Sequence, residues 1–94
     1  MKHELKTWGE YFQAIKRGEK TFEVRNNDRD FKVGDTLLLK EWNPKGYNSV
    51  APSELVGEYT GEELEVKVTY ILKQPNGVNF GLLGNTVVMS ITRA

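Results

Sequence analysis

Only one stretch of this chain carries a helical apolar period: Trp8, Tyr11, Phe12 and Ile15 fall at i, i+3, i+4 and i+7, opposite Glu10, Gln13, Lys16 and Arg17. Elsewhere the apolar residues alternate or bunch in short runs, as strands do. A chain with a single short helix must build its core on a sheet. Thr7-Trp8-Gly9-Glu10 reads as a capping box that opens the helix. Gly18 closes it, because glycine takes the left-handed conformation just past a helix end at little cost.

The strand signals run along the rest of the chain. Residues 3–5 suit a short first strand, and Phe22 and Val24 alternate with Thr21, Glu23 and Arg25 in a second. Residues 26–30 form a polar turn, and Phe31-Lys32-Val33-Gly34-Asp35 leads into a buried strand marked by Leu37, Leu38 and Leu39. Residues 43–61 are rich in Pro, Gly, Asn and Ser and read as a long loop carrying Tyr47, Val50, Leu55 and Tyr59; a loop of that length in a small domain is functional or mobile. Over residues 62–72 the alternation is clean, with Leu64, Val66, Val68 and Tyr70 on one side. Pro75-Asn76-Gly77 is a turn signal, and two short segments, 78–82 and 86–91, close the chain. The expectation is one α+β domain over residues 1–94, its five or six short strands curling into a small β-barrel with the N-terminal helix packed beside it.

Composition removes whole classes of function. The 94 residues include no Cys and a single His, so disulfides, thiolate chemistry and multi-His metal sites are excluded and no cofactor or metal is expected. No apolar run approaches a membrane span, and the N-terminal residues are too polar for a signal peptide, so a soluble, cytoplasmic protein is expected. Thirteen basic residues balance thirteen acidic ones, and residues 1–35 alone hold eight against seven. That argues against a partner gripped mainly by its phosphates.

The chemistry concentrates in residues 18–25, which read G-x-K-x-x-E-x-R where the helix hands over to a strand. Lys20, Glu23 and Arg25 thus lie on a sharp turn and the strand after it. A regular strand aims Glu23 and Arg25 to one side and Lys20 to the other, so a three-residue site requires a kink or bulge near Lys20 or Thr21. The alternative is a solvated, charged edge strand with no site at all.

This motif after a short amphipathic helix, with Val33-Gly34-Asp35 entering a Leu-rich strand, resembles the ASCH (activating signal cointegrator homology) family of the PUA-like superfamily. His3-Glu4-Leu5-Lys6, Asn27-Asp28-Arg29 and Val87-Val88-Met89-Ser90-Ile91 resemble a group of short bacterial and phage proteins in that branch. Gly9 stands where such proteins often carry Pro, and residues 43–58 form a longer loop than usual. The resemblance implies a mixed, partly closed β-barrel whose cleft is lined by the motif residues. It also implies a ligand that is RNA or a nucleobase-containing small molecule. Lys20 would then hold a phosphate or a base carbonyl, Glu23 would accept from a base amino group, and Arg25 would fork onto an anion or pin Glu23.

Two other readings stay open. One is a metal-independent amidohydrolase acting on an acylated nucleoside such as an acylated cytidine, with Lys20 as nucleophile or base and Glu23 standing where that branch carries a hydroxyl residue. The other is an accessory protein that contacts only proteins. Arg29 is a further candidate for a phosphate, and His3 for the cleft, although a lone His is more often structural. The spacing of Trp8, Tyr11 and Phe12 favours core packing over base stacking, whereas Trp42, Tyr47 and Tyr59 lie in or beside the long loop, where stacking is easier.

Overall fold

The computed structural model describes residues 1–45, 56–74, 81–82 and 84–94. Five strands and one helix follow in the order β1 (Lys2–Trp8), α1 (Gly9–Lys16), β2 (Phe22–Asn26), β3 (Thr36–Lys45), β4 (Val56–Lys73) and β5 (Thr86–Arg93). They form one mixed sheet in the order β1-β3-β4-β5-β2, parallel only between β1 and β3. The fold is α+β as expected. Among the described residues the ladder ends at β1 on one side and β2 on the other, so backbone pairing does not close a barrel.

The core fills with the inward residues of every strand except β2: Leu5, Leu37, Leu39, Val66, Val68, Val87, Met89 and Ile91, joined by Phe31. From α1, which packs on β1 and β3, come Phe12 and Ile15. Gly18, at φ 81°, ends the helix as its sequence position requires. Its N–H reaches the Ile15 carbonyl and the Glu19 N–H the Ala14 carbonyl, the paired bonds of a Schellman cap.

The other end of α1 differs from expectation. Trp8 holds the N-cap position and no side chain caps the helix. Thr7 belongs to β1, and its hydroxyl is spent on the Leu5 carbonyl at 3.3 Å, so the capping-box pattern is not used. The first strand runs seven residues where three were expected. It extends because its whole length pairs with β3, from Lys2 opposite Thr36 to Trp8 opposite Trp42.

Two irregularities in β4 change which residues face inward. Beyond Val68 the register slips by one residue, so Tyr70 turns outward to 63% exposure and Ile71 packs against the core in its place. A second irregularity lies opposite Glu41, where Gly61 has φ 93° and both Glu41 and Trp42 are buried in succession. Much of the expected 43–61 loop is strand: residues 43–45 pair with 56–58 as the continuation of β3 and β4. Residues 46–55, the 75–77 turn and most of the expected 78–82 segment lie outside the described residues.

Candidate binding site

Strand β2 is turned inside out relative to its composition. Phe22 and Val24 are 43% and 49% exposed, whereas Glu23 is buried at 3%. The register imposes this: Glu23 pairs with Met89, which pairs with Ile71, and all three face inward. A carboxylate in such a place requires partners, and Glu23 has two. Lys20 Nζ lies 3.0 Å from Oε1, and Arg25 Nε donates to Oε2 at 2.9 Å. The carboxylate is covered while the side chains of its cations remain 18% and 25% exposed, so the positive charge faces out.

The three motif residues therefore meet, and no bulge in β2 is needed to bring them together. Lys20 precedes the strand: its N–H still bonds the Ala14 carbonyl of the helix wrap, so strand alternation does not govern its side chain. Nζ also donates to the Phe22 carbonyl at 2.6 Å and stands 4.7 Å and 5.6 Å from the ring centroids of Phe22 and Tyr11.

Arg25 has a second task. Its terminal nitrogen donates to the Lys6 carbonyl at 2.9 Å and to the Thr7 hydroxyl at 3.3 Å, which ties the open edge of β2 to that of β1. Above this tie lies a cleft of about 630 Å³ lined by Trp8, Tyr11 and Phe22, by Lys6, Lys20 and Arg25, and by Thr7, Glu23 and Val24. Three cations against one buried carboxylate leave it positive, and three aromatic side chains give it flat walls. Trp8 and Tyr11, expected in the core, line the cleft instead, with Tyr11 47% exposed. Phe12 alone of that trio is core, because the helix runs eight residues and inserts only Phe12 and Ile15.

Two sequence candidates stand elsewhere. His3 is buried at 4%; Nε2 is 2.8 Å from Asp35 Oδ2, and its ring meets Phe31 edge-on at 4.8 Å. The parity of β1 sends His3 inward with Leu5, so it serves the structure. Burial pushes the Asp35 carboxyl up, but hydrogen bonds from His3, the Lys32 amide and the Met1 amino group outweigh it and hold Asp35 below its ordinary value. Arg29 donates to the Glu4 carbonyl at 2.9 Å, a second stitch between the region after β2 and β1, and does not line the cleft. Asn27 accepts from the Phe31 amide at 2.8 Å, the self-satisfied turn expected there.

Sequence reasoning missed Glu41. It is buried at 7%, accepting from Gln13 at 2.9 Å and from the Thr60 hydroxyl at 2.7 Å. Those two bonds, Gln13 first, outweigh burial and, with the Lys16 charge, hold its carboxyl below the usual range. A glutamate amid Leu37, Leu39 and Trp42 was the available signal. Among the described residues no group of three His, Cys, Asp or Glu side chains is placed to hold a metal ion.

A small α+β protein with a positively charged, aromatic-walled cleft at the seam of an open mixed sheet is the class these features define. The chain belongs to the DUF3850 family, a domain of unknown function, which it matches over residues 2–91. It is 34% identical over 67 residues to an uncharacterised 12.9 kDa protein encoded in the GpA 3′ region of Escherichia phage P2. That match takes in 71% of this chain and spans about half, 50%, of the phage protein. The crystal structure of the hypothetical protein PH0355 superposes over 100% of both chains with a TM-score of 0.61 at 20% identity, a likeness of fold alone.

Proposed function

We propose that this protein is an ASCH-like, PUA-like module that binds RNA or a nucleobase-containing small molecule in the cleft around Lys20, Glu23 and Arg25, without catalysis. The observation that carries this reading is one buried carboxylate holding two part-exposed cations at the mouth of an aromatic-walled cleft. Flat walls from Trp8, Tyr11 and Phe22 suit a base, which every stacking platform accepts through its π face. Lys20 has three N–H donors and spends two on the Phe22 carbonyl and Glu23, so one remains for a ligand carbonyl or phosphate. The two guanidinium stitches across the seam do by side chain what a closed barrel does by backbone, which supports the barrel-like kinship.

The hydrolytic alternative asks Lys20 to act as a neutral amine. Nζ already donates to Glu23 and to the Phe22 carbonyl, contacts that hold the nitrogen in place as a donor, which weighs against that role. A panel of nucleosides, acylated cytidines and short RNAs, assayed for both binding and turnover, tests the proposal. Binding without turnover is expected; turnover that disappears in Lys20→Arg would replace the binder with the enzyme.

A further inference from the structure

The open edge of β2 forms part of the cleft, and its main chain has a defined direction. The Thr21 carbonyl accepts from the Ile91 N–H at 3.0 Å, so residues of that parity, Glu23 and Arg25, turn their main-chain groups toward β5. Phe22, Val24 and Asn26 turn theirs to the edge that no described strand pairs with. The Phe22 carbonyl confirms this direction, since Lys20 Nζ reaches it from the cleft side. Val24, two residues on, lines the same cleft and presents a neighbouring N–H donor and C=O acceptor there.

An extended peptide does not fit this edge as an added strand. Arg25 and Arg29 cross the seam to the Lys6 and Glu4 carbonyls, occupying the line such a strand would follow. A flat ring entering between the aromatic walls needs only one residue's length of this edge and lies beside the Arg25 stitch instead of across it, while Arg29 does not line the cleft.

We propose that the main-chain N–H and C=O of Val24 read the ligand, pairing with an adjacent acceptor and donor on the rim of a base, while Lys20 and Arg25 supply charge. This inference rests on the nucleobase reading above and adds the group that recognises the base. Main-chain readout is specific to the rim's hydrogen-bonding pattern and indifferent to the Val24 side chain. It explains why an edge that no described strand pairs with is kept beside the cations: edge groups left bare are otherwise a site for unwanted strand pairing.

The test uses three nucleoside pairs that differ only in methylation of the rim's donor nitrogen: uridine with N3-methyluridine, inosine with N1-methylinosine, and cytidine with N4,N4-dimethylcytidine. 5-Methyluridine, methylated away from that rim, is the control. Whichever parent binds should lose at least about tenfold in affinity on rim methylation, 5-methyluridine should match uridine, and the Val24 amide proton should move downfield on saturation with the parent but not with its methylated partner. Val24→Ala should leave the methylation penalty in place. Binding that depends on Lys20 yet ignores rim methylation overturns this inference alone. Binding of no parent nucleoside, and of no other nucleoside or short RNA in the panel above, overturns the nucleobase reading as well.

Discussion

Arg25 and Lys6 lie 19 residues apart in sequence, yet the Arg25 guanidinium donates to the Lys6 main-chain carbonyl at 2.9 Å and thereby joins the two open edges of the sheet. The same side chain neutralises buried Glu23 at 2.9 Å, so one arginine serves both seam and site. Arg25→Ala should cost about 2–3 kcal/mol, since it removes charge-assisted bonds and leaves a buried carboxylate with only Lys20. Arg25→Lys should recover little of this, because an ammonium lacks the fork that spans Glu23 and Lys6 together. Urea denaturation of both variants checks it. Equal stability of wild type and Arg25→Ala would mean that the seam holds without the stitch.

Lys20 separates binder from enzyme. In a binding site Lys20→Arg should keep most of the affinity for the base or RNA that binds, and Lys20→Ala should lose it, because charge is what the ligand meets. If the amine were the nucleophile or base, both would abolish turnover, since arginine does not release its proton at ordinary pH. Parallel titrations and hydrolysis assays on the two variants distinguish the patterns.

Two glycines make opposite predictions. A Cβ on Gly57 would collide with the Asn43 main-chain carbonyl and the Trp42 ring, and buried Trp42 has no room to move. Gly57→Ala should cost about 1–3 kcal/mol. A Cβ on Gly9 meets the side-chain oxygen of exposed Asn43, which can rotate away, and otherwise only touches Glu41 Oε2 at 3.4 Å. Gly9→Ala should stay within about 0.5 kcal/mol of wild type. Thermal melts of the pair check the contrast; equal losses would refute the difference in packing.

Acid should loosen the fold through two named carboxyls. Asp35 and Glu41 are both held below their ordinary values of 3.8 and 4.5. Their contribution is complete above those values and is lost as pH falls through the lower folded-state ones. Stability should therefore drop as pH falls below 4.5, and the double variant Asp35→Asn, Glu41→Gln should flatten that drop while lowering stability at neutral pH. Urea midpoints from neutral to acid pH measure it, and an unchanged slope in the double variant would assign the acid loss elsewhere.

What the residues revealed in advance follows from how local each feature is. Gly18 is local and stands where its pattern places it, as do Phe12 and Ile15 of the apolar stripe. The alternation of β4 held only to Val68, because the one-residue slip before Tyr70 is set by pairing with β5, which no window of β4 contains. The capping box failed for a similar reason: β3 claims Thr7 for a parallel ladder. For the site, the residue types in G-x-K-x-x-E-x-R were legible and their meeting was not. Parity separated Lys20 from Glu23, and only the position of Lys20 ahead of the strand joins them. Tyr11 faces the cleft because α1 turns only Phe12 and Ile15 into the core, and Trp8 lines it as the last residue of β1, outside the helix.

Whether the seam cleft holds an unpaired base is read from the amide chemical shifts of the isotope-labelled protein. Titration with a short single-stranded RNA and with the parent nucleosides should move the amides of Trp8, Tyr11, Lys20 and Val24 and leave those around His3 and Asp35 in place. The same titrations at several salt concentrations should show a shallow slope, as the balanced charge of the chain requires, with single strands bound in preference to duplex DNA. Shifts confined to surfaces away from the cleft, or tighter duplex binding with a steep salt slope, would contradict a base held there.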